Sequence, residues 1–180
     1  MVAPMEAGMS EVGLEATHEG GCACGAVRYR LEGEPIFVNN CHCSLCQRQS
    51  GTGSVFNGLY ESDRVTLLSG DLTRHSVTTG SGKLQEMVRC AACGTAVWSH
   101  YPRMGRFGAA IRLGTLDDPG VFTPDAVIYV TTKLPWVAVS EDMPQFEEGY
   151  DFKAVLPQHR LARLYALAGR VKEAAGADAA

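Results

Sequence analysis

The chain has 180 residues, 46% of them hydrophobic and 20% charged, which suits one domain with its own core and short appendages. A net charge of −4 gives no electrostatic reason to expect nucleic acid or an anionic membrane surface as a partner. The opening "MVAPMEAGMSEVGLEATHEG" carries acids where a basic leader would stand, and no run reaches the ~20 apolar residues of a membrane span, so the expected location is the cytoplasm.

Residues 1–19 read as a disordered tail of Met, Ala, Gly, Ser and Glu without periodicity. From residue 20 to about 150 the text is β-like. The runs "AVRYRLEG", "PIFVNN", "GSVFNGLY", "RVTLLSG", "LQEMVRC", "TAVWSHY", "FGAAIRLG", "AVIYVTT" and "WVAVS" are set apart by Gly, Pro, Asp and Ser. Their spacing predicts a mainly β fold of coiled antiparallel sheets. Between two of them, "TTGSGK" ending at Lys83 imitates a phosphate loop, but Val77 and Leu84 occupy positions where that loop needs Gly and Ser or Thr. It reads as a turn. The ending "PQHRLARLYALAGRVKEAAGADAA" predicts a helix over 157–175, with Leu161, Leu164, Tyr165, Ala168 and Val171 on one stripe. Its arginines fall mostly off that stripe and read as a solvated face. The stripe needs a cover, either the β domain or a second copy, which makes the helix a candidate homodimer contact.

Seven cysteines fall into three groups: Cys22 and Cys24; Cys41, Cys43 and Cys46; Cys90 and Cys93. In a reducing compartment such clustering points to metal rather than disulfides. "CACG" and "CAACG" each end on glycine, at Gly25 and Gly94, the residue that tolerates positive φ and lets backbone N–H groups turn toward sulfur. Two such turns supply four thiolates, the closed set of a structural zinc. Cys41, Cys43 and Cys46 then form a set one ligand short, the mark of a catalytic zinc, with Gln47 where the glycine would be. Seven divides as four plus three, with two zinc ions per full chain. A histidine closing the second set is the plain alternative: His42 should point away from its neighbours in an extended segment, while His75 and His100 stay open.

The blocks "GGCACGAVRY", "CHCSLCQRQSG", "VRCAACGTAVW", "AAIRLGTLDDP" and "KLPWVAVSEDMPQFE" resemble, in order, the glutathione-dependent formaldehyde-activating enzyme family, which includes centromere protein V-like members. The resemblance spans about Gly20 to Glu147. It implies that family's several β-sheets, structural zinc on Cys22, Cys24, Cys90 and Cys93, and catalytic zinc on Cys41, Cys43 and Cys46. Two positions depart from the family pattern: Val127 stands where a histidine is frequent, and Gln47 where a basic residue is.

Zinc with three thiolates is suited to a soft fourth ligand such as a substrate thiol. The expected activity is therefore that of a carbon–sulfur lyase acting on a small thiol and a small aldehyde. The resemblance implies glutathione and formaldehyde, joined as S-hydroxymethylglutathione. Arg48 and Lys133 are candidate partners for the substrate's carboxylates. Trp136 reads as core packing before pocket wall. The readings from other classes are a non-catalytic zinc scaffold or sensing module, and a metal-free redox pair of Cys43 and Cys46.

Overall fold

The computed structural model describes residues 16–177. Strand β2 (Arg28–Glu32) alternates, with Tyr29 and Leu31 fully buried and Arg30 and Glu32 exposed, the period-two pattern of a strand with one covered face. It pairs antiparallel with β1 (Thr17–Gly21) on one side and β5 (Val65–Ser69) on the other, forming a three-stranded sheet. β1 begins inside the segment expected to be a tail; residues 1–15 of that segment lie outside the described residues. Tyr29 meets the Trp98 ring edge-on at 5.9 Å, and both join Val38, Tyr60, Val88 and Ile111 in one core between two sheets.

The second sheet has eight strands. In chain order they are β3 (Phe37–Cys41), β4 (Val55–Glu61), β6 (Leu72–Thr78), β7 (Leu84–Cys90), β8 (Ala96–His100), β9 (Gly108–Arg112), β10 (Ala126–Ile128) and β11 (Gln145–Phe146). In space they run β11-β10-β3-β4-β9-β8-β7-β6. Pairing is antiparallel as expected except at β10, which lies parallel to both β3 and β11. A parallel neighbour requires a long crossover, and most of the domain lies between β3 and β10 in the chain. "WVAVS" is not a strand: the Val137 N–H turns back to the Leu134 carbonyl, and Lys133 Nζ donates to the Val137 carbonyl. β6 escaped the sequence reading because it is an edge strand, mostly exposed and without alternation. The "TTGSGK" segment is the β6–β7 turn, closed by Thr79 N–H on the Lys83 carbonyl with Gly82 at φ 77°.

Alternation sends the two faces of the large sheet to different tasks. In β4, Tyr60 joins the core under the small sheet, while Val55 and Leu59 face the other way. That other face is covered by helices α1 (Ser44–Ser50), α2 (Phe152–Val155) and α3 (Gln158–Ala177). The stripe of α3 differs from the predicted one. Leu161, Leu164 and Leu167 are buried against Ile36 and Leu59, whereas Tyr165 is 52% exposed. The cover is the same chain's β domain. The arginines are not a solvated face either: Arg160 forks onto Asp125 at 2.9 and 2.7 Å, and Arg163 onto Glu61 at 2.9 and 2.7 Å. Both are nearly buried and also bond the carbonyls of Glu34, Pro35 and Ile36. No described helix is long and apolar enough to cross a membrane.

Leu164→Ala is expected to lower unfolding stability by about 2–5 kcal/mol, as a buried leucine does. Tyr165→Ala should change it by less than about 0.5 kcal/mol, both read from denaturant midpoints. Burial alone would raise the Glu61 pKa, but the Arg163 fork outweighs it and holds the carboxyl below its ordinary range. A depressed folded value stabilises above the unfolded pKa of about 4.3 and loses that contribution as pH falls through it. Stability measured from pH 7 to 3 should therefore drop less steeply in Glu61→Gln, which starts from a lower value at neutral pH.

Candidate metal centres

The turn between β1 and β2 carries Cys22 and Cys24, and the turn after β7 carries Cys93, with Cys90 as the last residue of that strand. Each turn closes the same way. Gly25 N–H donates to the Cys22 carbonyl and Gly94 N–H to the Cys90 carbonyl, both at 3.0 Å, with φ of 78° and 74° at the glycines. The expectation drawn from "CACG" and "CAACG" holds in its physical detail. Backbone then reaches sulfur, as Val27 N–H donates to Cys22 Sγ at 3.2 Å.

The four sulfurs lie within 4.8 Å of one another. A tetrahedral metal at the usual Zn–S distance of about 2.3 Å separates its sulfurs by about 3.8 Å. Here Cys22 and Cys24 Sγ are 3.4 Å apart, and Cys24 and Cys90 Sγ 3.9 Å. The proton balance tells the same story. The Val27 N–H lowers the Cys22 thiol pKa, and Thr95 holds Cys93 down to about 5. Cys24, despite an Ala26 N–H acting downward, is kept up at about 11 by its bonds to Cys22 and Cys93. Four sulfurs this close cannot all ionise without a cation among them. The donor set fits a thiophilic divalent metal.

The second cluster joins a strand end to a helix start. Cys41 closes β3, Cys43 is the N-cap of α1, and Cys46 sits in its first turn, donating its N–H to Cys43 Sγ at 3.4 Å. Gly51 ends α1 in the left-handed region at φ 70°. These three sulfurs also lie within 4.8 Å of one another. Among the described residues no His, Asp or Glu ligand atom joins them. His42 is fully buried and turned elsewhere, its Nδ1 donating to the Gly53 carbonyl at 3.1 Å. His75 bonds Thr73, His100 the Gly108 carbonyl, and His159 Glu34. The hydrogen bond from Cys41 holds Cys43 down at about 2, and giving that bond pushes Cys41 far up.

Gln47 and Val127 have structural tasks. Gln47 Nε2 donates to the carbonyls of His42 and Thr132 at 2.7 and 2.9 Å, tying α1 to the 130s loop. Val127 is buried in β10 between β3 and β11. Arg48 is exposed on α1, and half-buried Lys133 donates to carbonyls of its own loop. Trp136, expected in the core, is 73% exposed and leans over Gly53. Tyr129, beside the three-cysteine cluster and in the field of its sulfurs, is the one described non-glycine residue at positive φ, 59°. Sequence reading missed α1, Tyr129 and a buried polar row on the sheet below: Asn39, Asn57 and Arg112, with Gln49 above it. Three polar residues at period-two positions of apolar strands were the available signal.

Two sheets meeting at one cysteine tetrad, with a second thiol triad at a strand–helix junction, define a mainly β protein with two candidate metal sites. The chain belongs to the glutathione-dependent formaldehyde-activating enzyme family, whose sequence profile matches residues 17–132. It is 28% identical over 152 residues to a Halomonas elongata protein provisionally named for that activity, covering 78% of this chain and 93% of that one. A solved Rhodobacter sphaeroides protein aligns over 55% of this chain and 87% of its own length, at 19% identity and a TM-score of 0.41.

Reduced and reconstituted protein is expected to hold one metal ion per cysteine set by elemental analysis, and Cys90→Ser and Cys46→Ser to lose one each. Closing a structural zinc site releases about 10 kcal/mol, comparable with a whole domain's stability of about 5–15 kcal/mol. Cys90→Ser should therefore be largely insoluble, and Cys46→Ser soluble with native circular dichroism.

Proposed function

We propose that the chain is a zinc-dependent carbon–sulfur lyase that joins a small thiol to a small aldehyde, glutathione and formaldehyde being the pair its family is named for. One observation carries this reading: the seven thiols divide into a tetrad and a triad, and among the described residues no fourth ligand atom reaches the triad. Cys22, Cys24, Cys90 and Cys93 would hold a structural zinc, and Cys41, Cys43 and Cys46 a catalytic one. Zinc bound by three thiolates supplies an open coordination position that favours a soft sulfur ligand and lowers its pKa.

The chain's own residues set the geometry around that position. Gln47 and Thr132 both bond the His42 carbonyl, which fixes α1 and its cysteines against the loop carrying Lys133. Tyr129, near the triad, holds a backbone conformation that costs of order 1–3 kcal/mol, strain the surrounding loop must hold. Arg48, exposed on α1, is a candidate for one glutathione carboxylate; Lys133 would exchange its carbonyl partners for the other. In the condensation the substrate sulfur attacks the aldehyde carbon, a C–S bond forms, the C=O π pair moves to oxygen, and that oxygen takes a proton. The reverse sequence is the lyase direction. Seven unpaired thiols suit a reducing compartment, in keeping with the cytoplasm.

Exchange between free and hydroxymethylated glutathione, followed by NMR exchange spectroscopy, should run faster with wild type than spontaneously, and at the spontaneous rate with Cys46→Ser. Equal rates with both proteins, together with equal glutathione affinity, would replace the enzyme by a metal-binding scaffold.

A further inference from the structure

Arg112 ends β9 and is 7% exposed. Its guanidinium bonds only neutral groups: Asn57 Oδ1, Gln49 Oε1 at 2.9 Å and Met87 Sδ at 3.7 Å. Arg160 and Arg163, also nearly buried, each fork onto a carboxylate. Among the described residues Arg112 has no carboxylate within 4.0 Å. A buried cation left uncompensated costs several kcal/mol, so its opposing charge must be sought elsewhere.

Register locates it. Arg112 pairs with Asn57 across β9 and β4, and Cys41 with Val55 across β3 and β4. Positions 55 and 57 lie on one face of β4, so Arg112 and Cys41 rise from the same face of the sheet. Gln49, which Arg112 bonds, belongs to the helix that carries Cys43 and Cys46. The guanidinium thus rises on the triad's face of the sheet and grips its helix.

We propose that Arg112 is the counterion of the three-cysteine centre, a positioning residue whose fixed charge balances the single excess negative charge of three thiolates on a divalent metal. This rests on reading Cys41, Cys43 and Cys46 as a metal centre. The arginine compensates the triad as carboxylates compensate Arg160 and Arg163, and through Gln49 it keeps α1 seated on the sheet. It touches no reacting atom. Its effect falls on how tightly the triad holds metal.

The test is a cobalt(II) titration of the full-length, reduced protein already carrying metal in its four-cysteine set, followed by thiolate-to-cobalt absorption with a competing chelator. Arg112→Gln, which keeps hydrogen-bonding groups and removes the charge, should weaken cobalt binding at the triad by about 10–100-fold, the range typical of a lost supporting residue. Arg112→Lys, which keeps the charge, should stay within about threefold of wild type, and the four-cysteine set should be unaffected in both. Wild-type affinity in Arg112→Gln, or equal losses in the Gln and Lys variants, would overturn the counterion. If Arg112→Gln does not fold, Arg112→Lys decides: near-wild-type affinity supports the counterion, and a loss of about tenfold or more overturns it. A wild-type chain that takes up no cobalt at the triad would remove the metal-centre reading itself, and the counterion with it.

Discussion

Four sulfurs gathered within 4.8 Å join the two sheets at a place where no strand ladder does. Cys22 and Cys24 come from the turn that opens the small sheet, Cys90 and Cys93 from the turn between β7 and β8 of the large one. Everything else in the domain is arranged around that juncture. With the tips of both turns held together, the buried faces of β2 and β8 must meet, and Tyr29 packs on Trp98. Four sulfurs this close form the donor set of a closed thiophilic metal site.

The opposite face of the large sheet solves a different problem. It bears both an apolar patch, which α3 covers with Leu161, Leu164 and Leu167, and a polar row around Asn57 and Arg112, which α1 covers. Each helix is fixed by arginine chemistry as well as by buried apolar contact, leucines on α3 and Cys46 on α1. Arg160 and Arg163 reach from α3 to carboxylates at strand ends, Asp125 before β10 and Glu61 closing β4, and Arg112 reaches from the sheet to α1. The thiol triad sits where the polar row, the end of β3 and the start of α1 converge. Near it lie Tyr129, held at positive φ, and a loop pinned through Gln47, Thr132 and Lys133.

Division of labour between the cysteine sets follows from their settings. The tetrad lies on two glycine-closed turns, where backbone N–H groups face sulfur and the ligand count is complete. The triad lies at a strand-to-helix junction, where geometry offers three sulfurs and turns the adjacent His42 toward Gly53. On the proposed reading the closed set serves the fold and the incomplete set receives a ligand from outside.

Sequence alone determined which cysteines belong together, because the glycines at 25 and 94 mark backbone turns whose φ only glycine adopts freely, a local property. It likewise determined most strands, since a half-buried strand writes its alternation into consecutive residues, as Tyr29 and Leu31 do. What it could not carry were facts that depend on partners distant in the chain. The face of α3 was misread because Tyr165 and Leu167 are equally apolar as letters, and only the shape of the sheet beneath decides which is buried. Trp136 was misplaced for the same reason. The α3 arginines read as solvated and Arg112 by itself gives no signal, because their meaning lies in Asp125, Glu61 and Gln49, residues tens of positions away that tertiary structure alone brings within hydrogen-bonding reach.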